Sequence, residues 1–157
     1  MALSQDLKEF LRLLAEHDVT FMLVGAHAVA VHGYPRGTGD IDFWIRRDEA
    51  NARKILAALD EFGFGALGLT MADLMDENTV IQLGREPHRI DLMTFLTGLD
   101  FDECLPRAFH ARYEGIPLRV IARDDLLRNK RATGRPKDKL DVDEFERAER
   151  DRIKGNG

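Results

Sequence analysis

Apolar residues recur at helical spacing through Leu7, Phe10, Leu11 and Leu14, behind Ser4 as an N-cap and ahead of a polar exit at His17-Asp18, which predicts a first helix. Residues 19–24 are apolar on both faces and stop at Gly25, the pattern of a central strand rather than an edge strand. A short helix of small residues is predicted over 26–32, with N-terminal amides free to meet an anion. Gly33, Pro35, Gly37 and Gly39 punctuate a loop. Residues 40–46 predict a second, mostly buried strand, acidic at its start and continuously apolar through Phe43, Trp44 and Ile45.

Asp48 caps the next helix, which carries Ile55, Leu56, Leu59 and Phe62 on one face and stops at Gly63. Residues 63–68 read as loop or irregular strand, and Thr70 starts a short helix through Met75. Strands are predicted over 79–83 and 88–94, separated by a turn at 84–87. Residues 99–109 are amphipathic and read as one helix, whereas 111–121 read as a hairpin turning at Glu114-Gly115. Two closing helices, 124–132 and 137–153, flank Thr133-Gly134-Arg135-Pro136, and 155–157 read as a frayed tail. This order predicts an α/β (α+β) fold, a small mixed β-sheet backed by helices, in one domain over residues 1–157 whose closing helices begin near 123.

Composition narrows this picture without redirecting it. A chain of 157 residues, 44% hydrophobic and 32% charged, suits a single soluble domain. The formal charge of -5 argues against nonspecific coating of nucleic acid, although Arg128, Lys130, Arg131, Arg135, Lys137 and Lys139 form a local basic strip. As an isolated feature that strip reads as a solvated helix face. Cys104 has no second cysteine to pair with, and the N-terminus lacks the basic start and apolar core of a signal peptide, so a cytoplasmic location is expected. No apolar run is long enough to cross a bilayer, and no membrane role is expected.

The candidate chemistry lies in carboxylates. Asp40 and Asp42 are alternate residues of one predicted strand and share a face, while Asp91 lies inside another. If the two strands are neighbours, the three acids converge. Two unit charges roughly 5 Å apart repel by roughly 3 kcal/mol at an effective dielectric of about 20, so three ionised acids oppose folding by an amount comparable with a domain's total stability. A bound cation removes the conflict. Oxygen donors with no nearby Cys and no His at paired-ligand spacing suit Mg²⁺, with Mn²⁺ as an alternative, rather than zinc. His27 and His32 read as packing or capping residues.

The constellation Gly25-Ala26, thirteen residues, Asp40-Ile41-Asp42 and later Ile90-Asp91-Leu92 resembles the DNA polymerase beta-type nucleotidyltransferase superfamily. With His32-Gly33, Arg36 and Thr38 it is similar to the small bacterial members grouped with AbiEii-type toxin nucleotidyltransferases. The resemblance implies that Asp40, Asp42 and Asp91 hold Mg²⁺, and that a nucleotidyl group passes from a nucleoside triphosphate such as ATP to an acceptor, with pyrophosphate released. RNA such as tRNA, protein or a small molecule could serve as acceptor. It further implies nucleotide contacts from Gly25, Ala26, Arg36, Thr38 and Lys130. Where the family pattern has Gly or Ser after the first glycine, Ala26 keeps the backbone amide and lacks the hydroxyl. A catalytically weak nucleotidyltransferase-like binding module of a toxin–antitoxin pair, with an antitoxin as partner, is the alternative, and a homodimer would supply a further wall for a small acceptor site.

Overall fold

The computed structural model describes residues 5–33, 40–63, 68–85 and 89–156. Helix α1 (Gln5–Glu16) leads into strand β1 (Phe21–Val24), helix α2 (Gly25–Val31), strand β2 (Ile41–Ile45) and helix α3 (Glu49–Phe62). After these come helix α4 (Met71–Met75), strands β3 (Val80–Leu83) and β4 (Ile90–Met93), and helix α5 (Phe101–Cys104) with a 3-10 turn (Leu105–Arg107). Strands β5 (Phe109–Tyr113) and β6 (Ile116–Val120) and helices α6 (Arg123–Thr133) and α7 (Pro136–Asn156) complete the order.

The six strands form one mixed sheet in the order β3-β4-β2-β1-β6-β5. Pairs β1–β6 and β2–β4 are parallel, and β1–β2, β3–β4 and β5–β6 are antiparallel. Every residue of β1 is buried, as its two-faced apolar pattern requires of an inner strand. Along β2, alternation sends Phe43 to one face, where it packs on Phe10 of α1 and Phe21. Phe10 in turn meets Phe62 of α3, so α1 and α3 cover that face. Trp44 points to the opposite face and meets the Phe101 ring of α5 edge-on. The sheet face bearing Asp42 and Asp91 is flanked by α2, α6 and α7.

Local signals explain most boundaries. Asp48 accepts the Asn51 amide at the start of α3, and Gly63 ends that helix at a φ of 100°. Asn51, itself buried, accepts from the Thr20 amide at 2.7 Å and donates to the carbonyls of Thr20 and Arg46, tying α3 to the ends of β1 and β2. Thr70 and Asp73 form a reciprocal capping box at α4. Glu114 and Gly115, with φ of 50° and 86°, make the tight turn of the β5–β6 hairpin.

Two expectations are corrected. The helix predicted over 99–109 is only four residues long, followed by the 3-10 turn, and Phe109 opens β5. Pro106 contributes to the break because it donates no amide to the preceding turn and sits at the start of the 3-10 turn, although Leu105 itself keeps α geometry at φ -55° and ψ -46°. The tail expected to fray from 155 continues α7 to Asn156. Among the described residues no helix is long and apolar enough to cross a membrane.

Candidate functional site

Parallel pairing of β2 with β4 sets Ile41 opposite Ile90 and Asp42 opposite Asp91. The two carboxylates are therefore neighbours across the ladder on one face of the sheet. Asp91 is 6% exposed. Burial, then the charge of Asp91 and a hydrogen bond with it, then the charge of Asp40, push the Asp42 carboxyl up to about 6, with Arg89 acting against them. Asp40, just ahead of β2, accepts from the Arg89 backbone amide at 3.3 Å.

Arg89, which is not among the candidate site residues drawn from the sequence, is central to this cluster. Its Nε donates to Asp91 Oδ1 at 2.8 Å and its Nη2 to Asp91 Oδ2 at 3.1 Å, the fork geometry of a bidentate pair. The same Nη2 stands 3.3 Å from Asp40 Oδ2. One guanidinium thus bridges carboxylates belonging to two strands.

Gly25 turns the chain from β1 into α2 at a φ of 71°, directly against this cluster. A Cβ at Gly25 would lie 2.2 Å from Asp42 Oδ2. Only glycine therefore allows this approach with the carboxylate in place. Ala26 follows on the cleft wall. His27, on the same helix, is buried with neither ring nitrogen hydrogen-bonded, and burial pushes its imidazole below the usual range with Asp40 opposing.

Opposite the sheet, α6 and α7 supply the second wall of a cleft of about 740 Å³, a volume suited to a nucleotide-sized ligand. Lys130 reaches into it and is held by Asp138 at 3.4 Å and Asp141 at 3.2 Å. Arg135 and the Thr133 hydroxyl also bind Asp138. Elsewhere in the basic strip, Arg128 pairs with Asp125 and Arg131 with Glu146. Much of the strip's charge is therefore neutralised by acids within α6 or on α7. The cleft brings together Gly25, Ala26, Asp40, Asp42, Asp91 and Lys130; Arg36 and Thr38 lie outside the described residues.

This arrangement of glycine turn, paired strand carboxylates and facing cationic wall accompanies a sequence match over residues 3–155 to a family described as nucleotidyl transferase of unknown function (DUF2204). The chain belongs to that nucleotidyl transferase family. A crystal structure from Thermotoga maritima, that of TM1012, provisionally assigned as a nucleotidyltransferase, superposes with a TM-score of 0.53 at 18% identity. The match covers 96% of this chain and 90% of the other, and establishes a shared nucleotidyltransferase fold. No curated protein matches the sequence.

For this nucleotidyl transferase, the cation implied by the resemblance can be tested against the donors present. All three carboxylates offer hard oxygen donors, and the raised Asp42 carboxyl reflects burial first and then the neighbouring negative charge of Asp91 and Asp40, which a cation relieves. The residues fit a divalent cation in donor chemistry. Among the described residues, however, no group of three or more His, Cys, Asp or Glu side chains is already arranged to hold a metal ion. The guanidinium of Arg89 engages two of the three acids instead.

Proposed function

We propose that this nucleotidyl transferase is a Mg²⁺-dependent enzyme, with Mn²⁺ as substitute, that moves a nucleotidyl group from a nucleoside triphosphate such as ATP to an acceptor hydroxyl or phosphate on RNA, protein or a small molecule. The observation that carries this reading is the register of Asp42 beside Asp91, with Gly25 pressed against Asp42 at one wall of the cleft. In the reaction an acceptor oxygen forms a bond to the α-phosphorus while the bond from that phosphorus to the bridging oxygen breaks, and pyrophosphate leaves with the electron pair. Asp40, Asp42 and Asp91 would hold the cation, which when bound supplies charge neutralisation for the triphosphate and the leaving group. Asp91 would also help to accept the acceptor's proton. Backbone amides at Gly25 and Ala26 would meet the phosphates, and Lys130 would add positive charge from the opposite wall. Arg36 and Thr38, in the sequence ahead of Asp40, would complete the phosphate contacts.

The reading treats residues 1–157 as one domain, places it in the cytoplasm with its triphosphate donor, and groups it with the AbiEii-type enzymes on the motif around Asp40. Incubation with α-labelled triphosphates, Mg²⁺ and pooled tRNA or cell extract should transfer label, and Asp40→Asn and Asp42→Asn should abolish transfer. Absence of metal-dependent triphosphate binding by well-folded protein would sink the proposal.

The Arg89 bridge favours one second reading, in which the acids are neutralised internally and the chain acts as the binding module of a toxin–antitoxin pair. That reading predicts a stable complex with an antitoxin that survives Asp42→Asn, together with no label transfer by the wild-type protein.

A further inference from the structure

Arg89 does something that neither a structural ion pair nor a passive site residue explains. It immediately precedes β4, two residues before Asp91, so alternation puts both side chains on the cleft face of the sheet. Its planar fork spends two donors on Asp91 and directs Nη2 toward Asp40 as well, so a single positive charge spans two of the three acids. The fork occupies two of the roughly four lone-pair sites of Asp91, and its positive charge against Asp91 and Asp40 repels a metal ion from those that remain. The side chain is 24% exposed and borders the cleft, so it can leave Asp91 without disturbing the core.

We infer that Arg89 is the resting counter-ion of the carboxylate cluster and competes with the divalent cation for Asp91 and Asp40, so that cation loading requires the guanidinium to move aside. This rests on the metal-dependent reading above and adds to it a coupling between two ligands. Free cation must displace the guanidinium from Asp91 and Asp40 and brings no acceptor in return. A triphosphate brings phosphate oxygens, which suit the same fork, and gives the released guanidinium a new acceptor. The nucleotide thereby favours cation loading and the cation favours nucleotide binding, as linkage requires. The resting protein keeps two of its three acids paired until both arrive.

The test follows Mg²⁺ alone, by calorimetry, into wild-type protein, Arg89→Gln and Arg89→Lys, alongside the ¹⁵N signal of the Arg89 side-chain Nε–H in the wild type. Arg89→Gln should bind Mg²⁺ roughly tenfold more tightly than the wild type, and Arg89→Lys should fall between them. The Nε–H signal should shift as Mg²⁺ saturates. Saturation of the wild type with no change in that signal, or unchanged affinity in Arg89→Gln, overturns the inference while leaving a metal-dependent enzyme intact. Absence of Mg²⁺ binding by wild type and both variants removes the metal-dependent reading and this inference with it. Should Arg89→Gln fail to fold, the wild-type Nε–H signal decides the matter.

Discussion

Asp42 shows most directly how function and stability oppose each other in this chain. Its carboxyl titrates near 6 in the folded protein, above the ordinary value of 3.8, because burial and the charges of Asp91 and Asp40 disfavour ionisation. The folded state therefore binds this proton more tightly than the unfolded state does. Above about pH 6 the ionised group opposes folding in full, and the opposition fades as pH falls toward 4. Asp42→Asn should stabilise the protein at pH 7.5 by on the order of 1–2 kcal/mol, less than the full shift implies because the carboxylate is part-exposed. Thermal melts should show the variant's advantage at pH 7.5 shrinking at pH 4.5, whereas its transferase activity should be lost at both. A constant advantage across that range would mean that Asp42 titrates normally. The sequence suggested that Asp40, Asp42 and Asp91 would repel one another, because the alternation within one strand is local. It did not disclose that Arg89 would bridge two of them, since that depends on which strand pairs with which and in what register.

Among the elements, the junction from β1 to α2 is the most tightly constrained. Gly25 holds a left-handed φ and leaves no room for a Cβ beside Asp42, so Gly25→Ala should cost about 1–3 kcal/mol and displace the carboxylate as well. Urea denaturation would measure the first effect and a fall in Mg²⁺ affinity the second. Normal stability and normal cation binding in this variant would show that the close approach is unimportant. Elements bounded by short-range signals were legible from sequence: the Asp48 cap and Gly63 stop of α3, the Thr70 start of α4, and the turn at Glu114-Gly115. The segment over 99–109 was misread because its apolar spacing suggested a helix while Pro106 limits the helical geometry there. The basic strip is mostly solvent-exposed, as its sequence suggested, but its pairing with acids was not legible. Its partners Asp141 and Glu146 follow on α7 and come alongside only after the chain reverses at Gly134, whose φ is 67°.

For the molecule as a whole, the cleft depends on α6 and α7 staying together, and much of their contact is polar. Val142 and Phe145 bury apolar surface from α7, with the Arg123 guanidinium 5.4 Å from the Phe145 ring centroid. Lys130 adds a buried polar link by bridging Asp138 and Asp141, which are 7% and 6% exposed, beside the Arg131–Glu146 and Arg123–Glu149 pairs. Lys130→Met would leave Asp141 without that cation and Asp138 with Arg135 and Thr133, and should destabilise the protein by roughly 2–4 kcal/mol. Restoring stability with the second change Asp141→Asn would confirm that the loss is electrostatic, whereas an unchanged melting temperature in Lys130→Met would reserve Lys130 for ligand alone. Trp44, the chain's single tryptophan, occupies the same strand and the same sheet face as Asp42, two residues further along, and is buried against Phe101. The protein thus carries its one tryptophan next to its carboxylates, so unlabelled wild-type protein and every variant above can be followed through unfolding and ligand titration by selectively excited tryptophan emission from a single known position.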